Sequence, residues 1–433
     1  MLKRIMSLSL VASLLVLMLA ACSGGNAAES NNASEGQTSG QSGDSSEPAT
    51  IKVFIGMPEY TNAFNAFVEE YKKVKPNVTI ELEIMQADYP TVLKSKIASG
   101  NTPDVFMSTA GGEIAQYAEY SADLTNEPLA AAMTDAVRNN MSLDGKVLGL
   151  PIKSNLFAFI YNKKMFEEAG IAAPPKTMTE MYDAIAKLEA KGITPFANGY
   201  KEWWVFKHVF QHFINAETDD AEQLVGDFIA GNTTFADHPE LLKFFDFIDL
   251  TVKHGMDKPL ERDLNAQITD FATGKTAMMI GQGAWVEEGI LKIDPEMEIG
   301  VAGYPVNEDA GKSMIITGAD LALRINKDSA VLDETLEFFN WLYTSEYGKS
   351  WFSDVAKVIP PVKDAAMPDL QMPKAMEEIL KTEPSGDLAV IYSLDSFHQK
   401  FGEVMQAYIG GIKTKEQAIE EIEKAWTQLG AAK

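Results

Sequence analysis

Two spacings of apolar residues take turns along the chain, and their order predicts a layered α/β fold. Ile51, Val53, Phe54 and Ile55 form a short apolar run, the mark of a buried strand, which Gly56 and Pro58 interrupt. From Thr61 onward Phe64, Phe67, Val68 and Tyr71 recur at the spacing of one helix face, and Pro76 follows the end. Val78, Ile80, Leu82 and Ile84 then alternate with polar residues, the two-residue period of a strand. Strand, helix and strand in this order make a β-α-β unit, the seed of a parallel sheet. Ligands of open α/β sheets bind beyond the carboxyl ends of the strands, which points at the loop Gly56-Met57-Pro58-Glu59-Tyr60.

The alternation continues to the C-terminus. Residues 94–98 and 114–120 predict short helices, and residues 105–107, 147–152 and 156–161 predict strands. Thr177-Met178-Thr179-Glu180 has capping-box spacing. It opens a helix with Met181, Ile185 and Leu188 inward and Gly192 at its close. Residues 203–214 and 239–254 predict helices, and residues 277–280 and 299–301 short strands. Leu332, Leu336, Phe339 and Tyr343 mark another helix, and residues 398–409 and 415–429 two more. No internal repeat is visible.

The first fifty residues follow neither period. Lys3 and Arg4 precede an apolar run from Ile5 to Leu19, and small residues precede Cys22, the only cysteine. This is a secretory signal peptide over residues 1–21. Leu19-Ala20-Ala21-Cys22 resembles a bacterial lipobox, which implies cleavage before Cys22 and lipidation of its thiol. Two or more acyl chains anchor a protein stably where one is marginal. The resemblance therefore implies a protein tethered outside the cytoplasmic membrane. The plainer alternative is an ordinary signal peptide and a buried cysteine. Residues 22–50 are rich in Ser, Gly, Asn, Glu and Gln, and predict a flexible lipidated tether with an r.m.s. reach of roughly 30 Å. With Cys22 at the anchor, no intrachain disulfide can form.

The remaining length suits two domains, and 46% hydrophobic residues can fill large cores. The net charge of −25 argues against nucleic acid as a partner. It also repels an anionic membrane surface, so the lipid must do the holding. His208 and His212 stand four apart on a predicted helix, but Val209 occupies the place where a zinc protease carries glutamate. No third ligand is evident, so no metal is expected, and the two histidines are read as a polar helix edge. There is no Gly-x-Ser-x-Gly elbow and no phosphate-binding loop, and Gly281-Gln282-Gly283 is too short for a nucleotide fingerprint. Carboxylates are plentiful, yet nothing singles out a glycosidase pair. No cofactor is called for.

Aromatic residues beside chain breakers and carboxylates stand out instead. Trp203 and Trp204 follow Asn198-Gly199-Tyr200-Lys201-Glu202, Trp285 follows Gly281-Gln282-Gly283-Ala284, and Tyr60 follows Glu59. Tyr392 and Phe397 flank Asp395. The C–H face of a sugar ring packs on an aromatic face, and its hydroxyls bond to carboxylates, amides and ammonium groups; such walls with a few polar groups describe a small-molecule cleft. Core packing is the competing reading, favoured for Phe397 and Trp204, whereas Trp285 and Trp203 are favoured as site residues.

The chain resembles the extracellular solute-binding proteins of bacterial ABC importers, in their carbohydrate-binding, maltose-binding-protein-like group. The lipobox carries part of this. Thr102-Pro103-Asp104-Val105-Phe106, Leu150-Pro151 with Tyr161-Asn162-Lys163, Glu168-Ala169-Gly170-Ile171, and the run from Phe271 through Gly274-Lys275 and Ala277-Met278 to Trp285 carry more. The helix at residues 330–343 completes the order. The resemblance implies two α/β lobes, each a mixed sheet flanked by helices, joined by a multi-strand hinge with the ligand between them. It implies a first lobe of residues 51–153 plus 307–356 and a second of residues 154–306 plus 357–433. Hinge crossings would fall near residues 153–157, 304–307 and 357–361. Carried onto this sequence, the ligand contacts would be Glu59 and Tyr60 from the first loop, Ser108, Thr109 and Glu113 from the loop after the third strand, and Trp203, Trp285, Asp320 and Asp395. The loop Ser108-Thr109-Ala110-Gly111-Gly112-Glu113 lacks the aromatic residue and charged pair of the maltose-specific members, which puts maltose itself in doubt. For Asp320 a turn cap is the competing role.

These expectations describe a lipid-anchored, monomeric receptor, with no enzymatic activity, that captures a sugar, most simply an oligosaccharide. It would hand the sugar to the membrane permease subunits of an ABC importer. The rivals are the same fold binding a peptide or metal chelate, a surface glycosidase, and a sensor subunit that presents sugar to a membrane kinase. A charged ligand on so acidic a receptor needs a local Arg/Lys cluster, and Arg138, Arg262 and Arg324 are the only arginines after Arg4.

Overall fold

The computed structural model describes residues 48–85 and 89–431, except for the side chain of Glu59. Cys22, the signal peptide and nearly all of the expected tether lie outside the described residues. Along the first part of the chain come β1 (Ala49–Ile55), α1 (Thr61–Val74), β2 (Val78–Ile84), α2 (Tyr89–Ala98), β3 (Val105–Thr109) and α3 (Gly112–Tyr117). Next come β4 (Asn155–Phe157), β5 (Phe159–Asn162), α4 (Met178–Ala190), β6 (Thr194–Ala197) and α5 (Val205–Glu217). They are followed by α6 (Leu264–Ala272), β7 (Thr276–Met279), α7 (Glu287–Ile293) and β8 (Ile299–Ala302). The chain ends through β9 (Ile316–Gly318), β10 (Leu321–Ile325), α8 (Leu332–Thr344), α9 (Asp395–Ile409) and α10 (Lys415–Leu429).

Among the described residues the strands build two four-stranded sheets and two two-stranded pairs, one of them β4 with β9. The first has the order β10-β3-β1-β2, with β1 parallel to β2 and β3 and with β10 antiparallel to β3. The predicted β-α-β unit is therefore present. Ala49 and Thr50 pair with Val78 and Thr79, so the last two residues assigned to the tether belong to the sheet. The second sheet has the order β8-β5-β7-β6, with β6 parallel to β7 and the other pairs antiparallel. Each sheet is packed by helices. In α1, Phe64, Phe67 and Tyr71 are buried and face Trp351, Phe338 and Trp341. Behind the second sheet, Trp426 of α10 stacks on Phe397 of α9 at 4.7 Å, which makes Phe397 a core residue. The capping box forms as predicted: Thr177 and Glu180 satisfy each other's backbone N–H at the start of α4.

The run expected as one strand over residues 156–161 is two strands serving two sheets. In β4, Phe157 pairs with Ile316 of β9 and packs in the first lobe's core, whereas in β5 Phe159 pairs with Ala302 of β8 and packs in the second lobe's core. An unbroken apolar run fits this, because both ends of a crossing segment are buried. The return crossing comes later than Asn307. Tyr304 and Val306 pack in the second lobe's core, and Asn307 bonds Met178 N and Glu240 there; the chain reaches the β4–β9 pair only at Ile316. Beyond Lys357, Val362, Leu388, Val390 and Ile391 pack in the first lobe's core, although the sequence assigned that whole tail to the second.

The polar row on α5 is internal. This helix is buried on all sides, and His208 and His212 direct Nδ1 at the carbonyls of Gly281 (3.1 Å) and Met314 (3.2 Å). They do not lie on a polar edge. Burial pulls the imidazole of His208 well below its ordinary pKa and that of His212 down to about 3, so both are neutral. Asn215 completes the row, donating to Asp387 O and accepting from Asp387 N. The histidines and Asn215 thus tie a second-lobe helix to loop carbonyls and amides.

Candidate functional site

A cavity of about 760 Å³ opens where the carboxyl end of β1 faces the loop after β7, within the range of small-molecule sites. A single 3-10 turn after β1, Pro58–Tyr60, places Tyr60 on its wall. A similar turn before α7, Ala284–Val286, places Trp285 opposite. The position of Trp285 depends on Gly283, where a Cβ would lie 2.1 Å from the Leu156 carbonyl and 2.3 Å from the indole ring itself. The indole Nε1 donates to Gln282 Oε1 at 3.1 Å, and the ring meets Phe157 and His208 edge-on, both at 5.6 Å. Three contacts hold it in one orientation while leaving it part-exposed.

Lys153, from the segment that crosses into β4, sends its ammonium between these rings. Nζ lies 5.3 Å from the centre of Trp285 and 5.8 Å from that of Tyr60. Asp320, just before β10, accepts a hydrogen bond from Asn155 Nδ2, while its backbone carbonyl accepts from Ala110 N at 2.8 Å. Asp320 is thus locked to the crossing strand, with its carboxylate on the cavity. Trp204 and His208 at the start of α5, Glu288 and Lys292 on α7, Asn62, Asn265 and Lys357 complete the polar and aromatic lining. Aromatic faces, amides, carboxylates and ammonium groups converge, which suits a ligand that is apolar on its ring faces and polar around its edge. Among the described residues no cluster of three or more His, Cys, Asp or Glu could hold a metal. A larger groove of about 1110 Å³ runs beside β1, β2 and α2, but none of the candidate residues lines it.

The structure divides the candidates into two groups. Tyr60, Trp285 and Asp320 meet on this cavity. Glu59 belongs to the same turn, and its side chain lies outside the described part. Ser108, Thr109, Glu113, Trp203 and Asp395 do not line the cavity; they gather around a junction where the loop after β3 meets the segment before α9. Ser108 Oγ accepts from Arg324 Nε at 2.7 Å, and the Thr109 carbonyl accepts from Arg324 Nη2 at 3.1 Å. Glu113 accepts from Thr109 N at 2.8 Å. Asp395 pairs with Lys207 at 3.2 Å, and Lys207 lies over the ring of Trp203. Burial raises the pKa of Glu113, and Asp395 across the junction adds to the rise. Burial pushes Asp395 up too, but Lys207 and His398 outweigh it and hold the carboxyl below its ordinary value. Trp204, read from sequence as core, is the tryptophan of this pair that reaches the cavity. Lys153, Asn155, His208, Glu288, Lys292 and Lys357 were not named as ligand contacts; Lys153, Asn155 and Lys357 lie on predicted hinge crossings, His208 was read as a polar helix edge, and Glu288 and Lys292 carry no local signal.

Comparison with known proteins fits this geometry. The family described as bacterial extracellular solute-binding protein matches residues 57–349. A multiple sugar-binding protein of Streptococcus mutans is 24% identical over 355 residues, 79% of each chain. A melibiose/raffinose/stachyose-binding protein of Bacillus subtilis is 22% identical over 343 residues, 76% of this chain and 75% of that one. Among solved structures, a chitin oligosaccharide binding protein superposes with a TM-score of 0.76 at 22% identity, covering 88% of this chain and 99% of the other. That likeness establishes a shared two-lobed architecture.

Proposed function

This chain belongs to the bacterial extracellular solute-binding protein family, and from that premise we propose that it captures a sugar between its two lobes and delivers it to the permease of an ABC importer. The carrying observation is the cavity on which Tyr60 of the first lobe and Trp285 of the second stand as opposed aromatic walls. Sugar rings would stack on Trp285, Tyr60 and Trp204. Asp320, Asn155, Asn62, Asn265 and Glu288 would bond hydroxyls, and the resemblance adds Glu59 to them. Contacts made to both lobes favour the closed form, so ligand binding drives closure. No step of chemistry on the sugar is assigned. The sugar-binding relatives support this reading at about a quarter identity over three quarters of the chain. An extracellular location follows from the family, and we assign anchoring to lipidation of Cys22 after removal of residues 1–21. The protein would act as a monomer whose lobes move about three crossings, one at residues 153–157, one leading into β9 and one at residues 357–361.

The test uses the chain without residues 1–22, stripped of bound ligand by unfolding and refolding, in a melting screen against mono- and oligosaccharides. A ligand at a hundred times its dissociation constant stabilises by about 2.7 kcal/mol. A response confined to one sugar class supports the receptor, silence across the panel removes it, and appearance of product would make the protein a glycosidase.

A further inference from the structure

Behind the cavity wall, a relay of buried amides ends on the edge of Trp285. Gln267 stands on α6 and Gln282 in the loop after β7, and both are fully buried. Gln267 Nε2 donates to the carbonyls of Ala197, the last residue of β6, and of Ile280, both at 2.9 Å. Gln267 Oε1 accepts from Gln282 Nε2 at 2.7 Å, and Gln282 Oε1 accepts from the Trp285 indole at 3.1 Å. The direction of the relay follows from its ends. Carbonyls only accept and an indole N–H only donates, so each amide between them has one orientation. Turning either amide over would set oxygen against oxygen in a buried site, where an unpaired polar group is costly. The opposite edge of the indole is closed by backbone: a Cβ at Gly283 would lie 2.3 Å from Cζ3 and 2.8 Å from Cε3. Trp285 is therefore held at both edges while it lines the cavity.

We propose that Gln267 and Gln282 are positioning residues of the ligand site, and that they set the plane of Trp285 before any ligand arrives. This rests on the sugar-binding reading above. Neither glutamine lines the cavity, so their effect reaches a ligand only through the indole. A tryptophan that is free to turn loses that freedom when a sugar ring stacks on it, and the loss opposes binding; a ring already held loses little. The linked carbonyls and amides lie on the second sheet, on the loop after β7 and on α6, which packs against that sheet. The stacking face is thus complete on the second lobe, and closure of the first lobe adds Tyr60 and Asp320 to it. The relay also accounts for the residue type. Phenylalanine would offer a stacking face but leave Gln282 Oε1 without its donor.

The test begins without sugar, on the chain lacking residues 1–22 and isotope-labelled at its indole nitrogens. Trp285→Phe identifies the Trp285 signal. Trp351 and Trp426 are the controls, because their indoles are also buried and bonded, to Ala63 O at 2.7 Å and to Ser393 Oγ at 2.9 Å. The Trp285 indole proton should exchange slowly in the ligand-free wild type. Gln267→Met and Gln282→Met should each speed it by about tenfold or more and leave both controls unchanged. An exchange rate at Trp285 that neither variant changes overturns the proposal and leaves the sugar receptor standing. Should Gln267→Met fail to fold or loosen the controls, Gln282→Met decides, since it leaves the Ala197 and Ile280 carbonyls their donor; equal acceleration of all three signals in that variant also overturns the proposal. Affinity gives the second readout. For the sugar found in the melting screen, Gln282→Met should weaken binding about fivefold, roughly 1 kcal/mol, and by under about twofold when added to Trp285→Phe. Equal losses in the two backgrounds would mean that the glutamine acts elsewhere than through the indole, and would sink the proposal. If no sugar binds, the sugar reading falls, and the exchange rates alone decide whether the ring is held.

Discussion

The cleft and the junction beside it are built alike and finished differently. Both sit at carboxyl ends of first-sheet strands, the cleft after β1 and the junction after β3, and both join lobes through loops rich in polar residues. At the junction Arg324, Ser108, Glu113 and Asp395 find polar partners, while the Thr109 hydroxyl is buried without one. Arg324 is fully buried, donates to Ser108 Oγ and to the carbonyls of Leu148 and Thr109, and is pushed down to about 10 by its burial. Gly111, at φ +61°, lets the backbone come so close to Ile391 that a Cβ would lie 2.0 Å from its carbonyl oxygen. At the cleft, by contrast, Tyr60 and Trp285 line a cavity of about 760 Å³, and the ammonium of Lys153 lies over both rings. The lesson is that polar loops at strand ends are equally available for structure and for binding; what separates them is whether the loops close on each other or leave a cavity between them.

Breaking the junction should therefore cost stability, and breaking the cleft should cost affinity. The largest effect is expected for Arg324→Ala, which leaves the Ser108 hydroxyl and two carbonyls without their donor in a buried site: about 3–5 kcal/mol lost in urea unfolding. A loss under about 1 kcal/mol would mean that the junction is open to water. Gly111→Ala should cost about 1–3 kcal/mol, from its positive φ and the clash with Ile391. An unshifted melting midpoint would show that the loop after β3 is not pressed on the backbone at Ile391. Trp285→Ala should weaken sugar binding at least tenfold, about 1.4 kcal/mol or more, with the fold retained. Wild-type affinity in that variant would remove the site. Trp203→Ala sharpens the comparison, because its ring lies against Lys207 at the junction. It should leave affinity within about twofold, roughly 0.4 kcal/mol, while Trp204→Ala should follow Trp285→Ala.

How much of this was legible depended on whether local period or distant contact decides the outcome. The β1-α1-β2 unit, α4 with its capping box and α10 follow from spacing alone, because one buried face forces one period. The split of residues 156–161 into β4 and β5 was not legible, since Phe157 and Phe159 are both apolar and only the partner sheet tells them apart. Trp285 could be read from its glycine-rich approach. The choice between Trp203 and Trp204 could not, because neighbouring positions at a helix start differ by a rotation that packing sets. His208 and His212 were misplaced for a related reason: α5 is buried all round, so its polar residues face loop carbonyls and not water. Lys153 was invisible as a lining residue because the two rings it lies over are far from it in sequence.

The smallest expected effect lies in the acid–base balance of the junction, and its sign is fixed by two opposed shifts. Glu113 titrates above its ordinary 4.5, through burial and then Asp395. A raised carboxyl binds its proton more tightly in the folded state, so its contribution to stability is complete below pH 4.5 and is lost as pH rises through the raised value. Asp395 titrates below 3.8 because Lys207 outweighs burial, so its contribution is present above that pH and is lost as pH falls through the lowered value. The groups around Glu113 are Asp395 and Arg324, and the protonated carboxyl relieves repulsion from the first without disturbing the guanidinium's own hydrogen bonds. Glu113→Gln keeps the shape and removes the titration. Urea midpoints taken from about pH 4 to about pH 7 should therefore rise for the variant relative to wild type as pH increases, and the two should converge at the acid end. Parallel curves would mean that Glu113 is neither desolvated nor repelled by Asp395, and that the loop after β3 stands away from the start of α9.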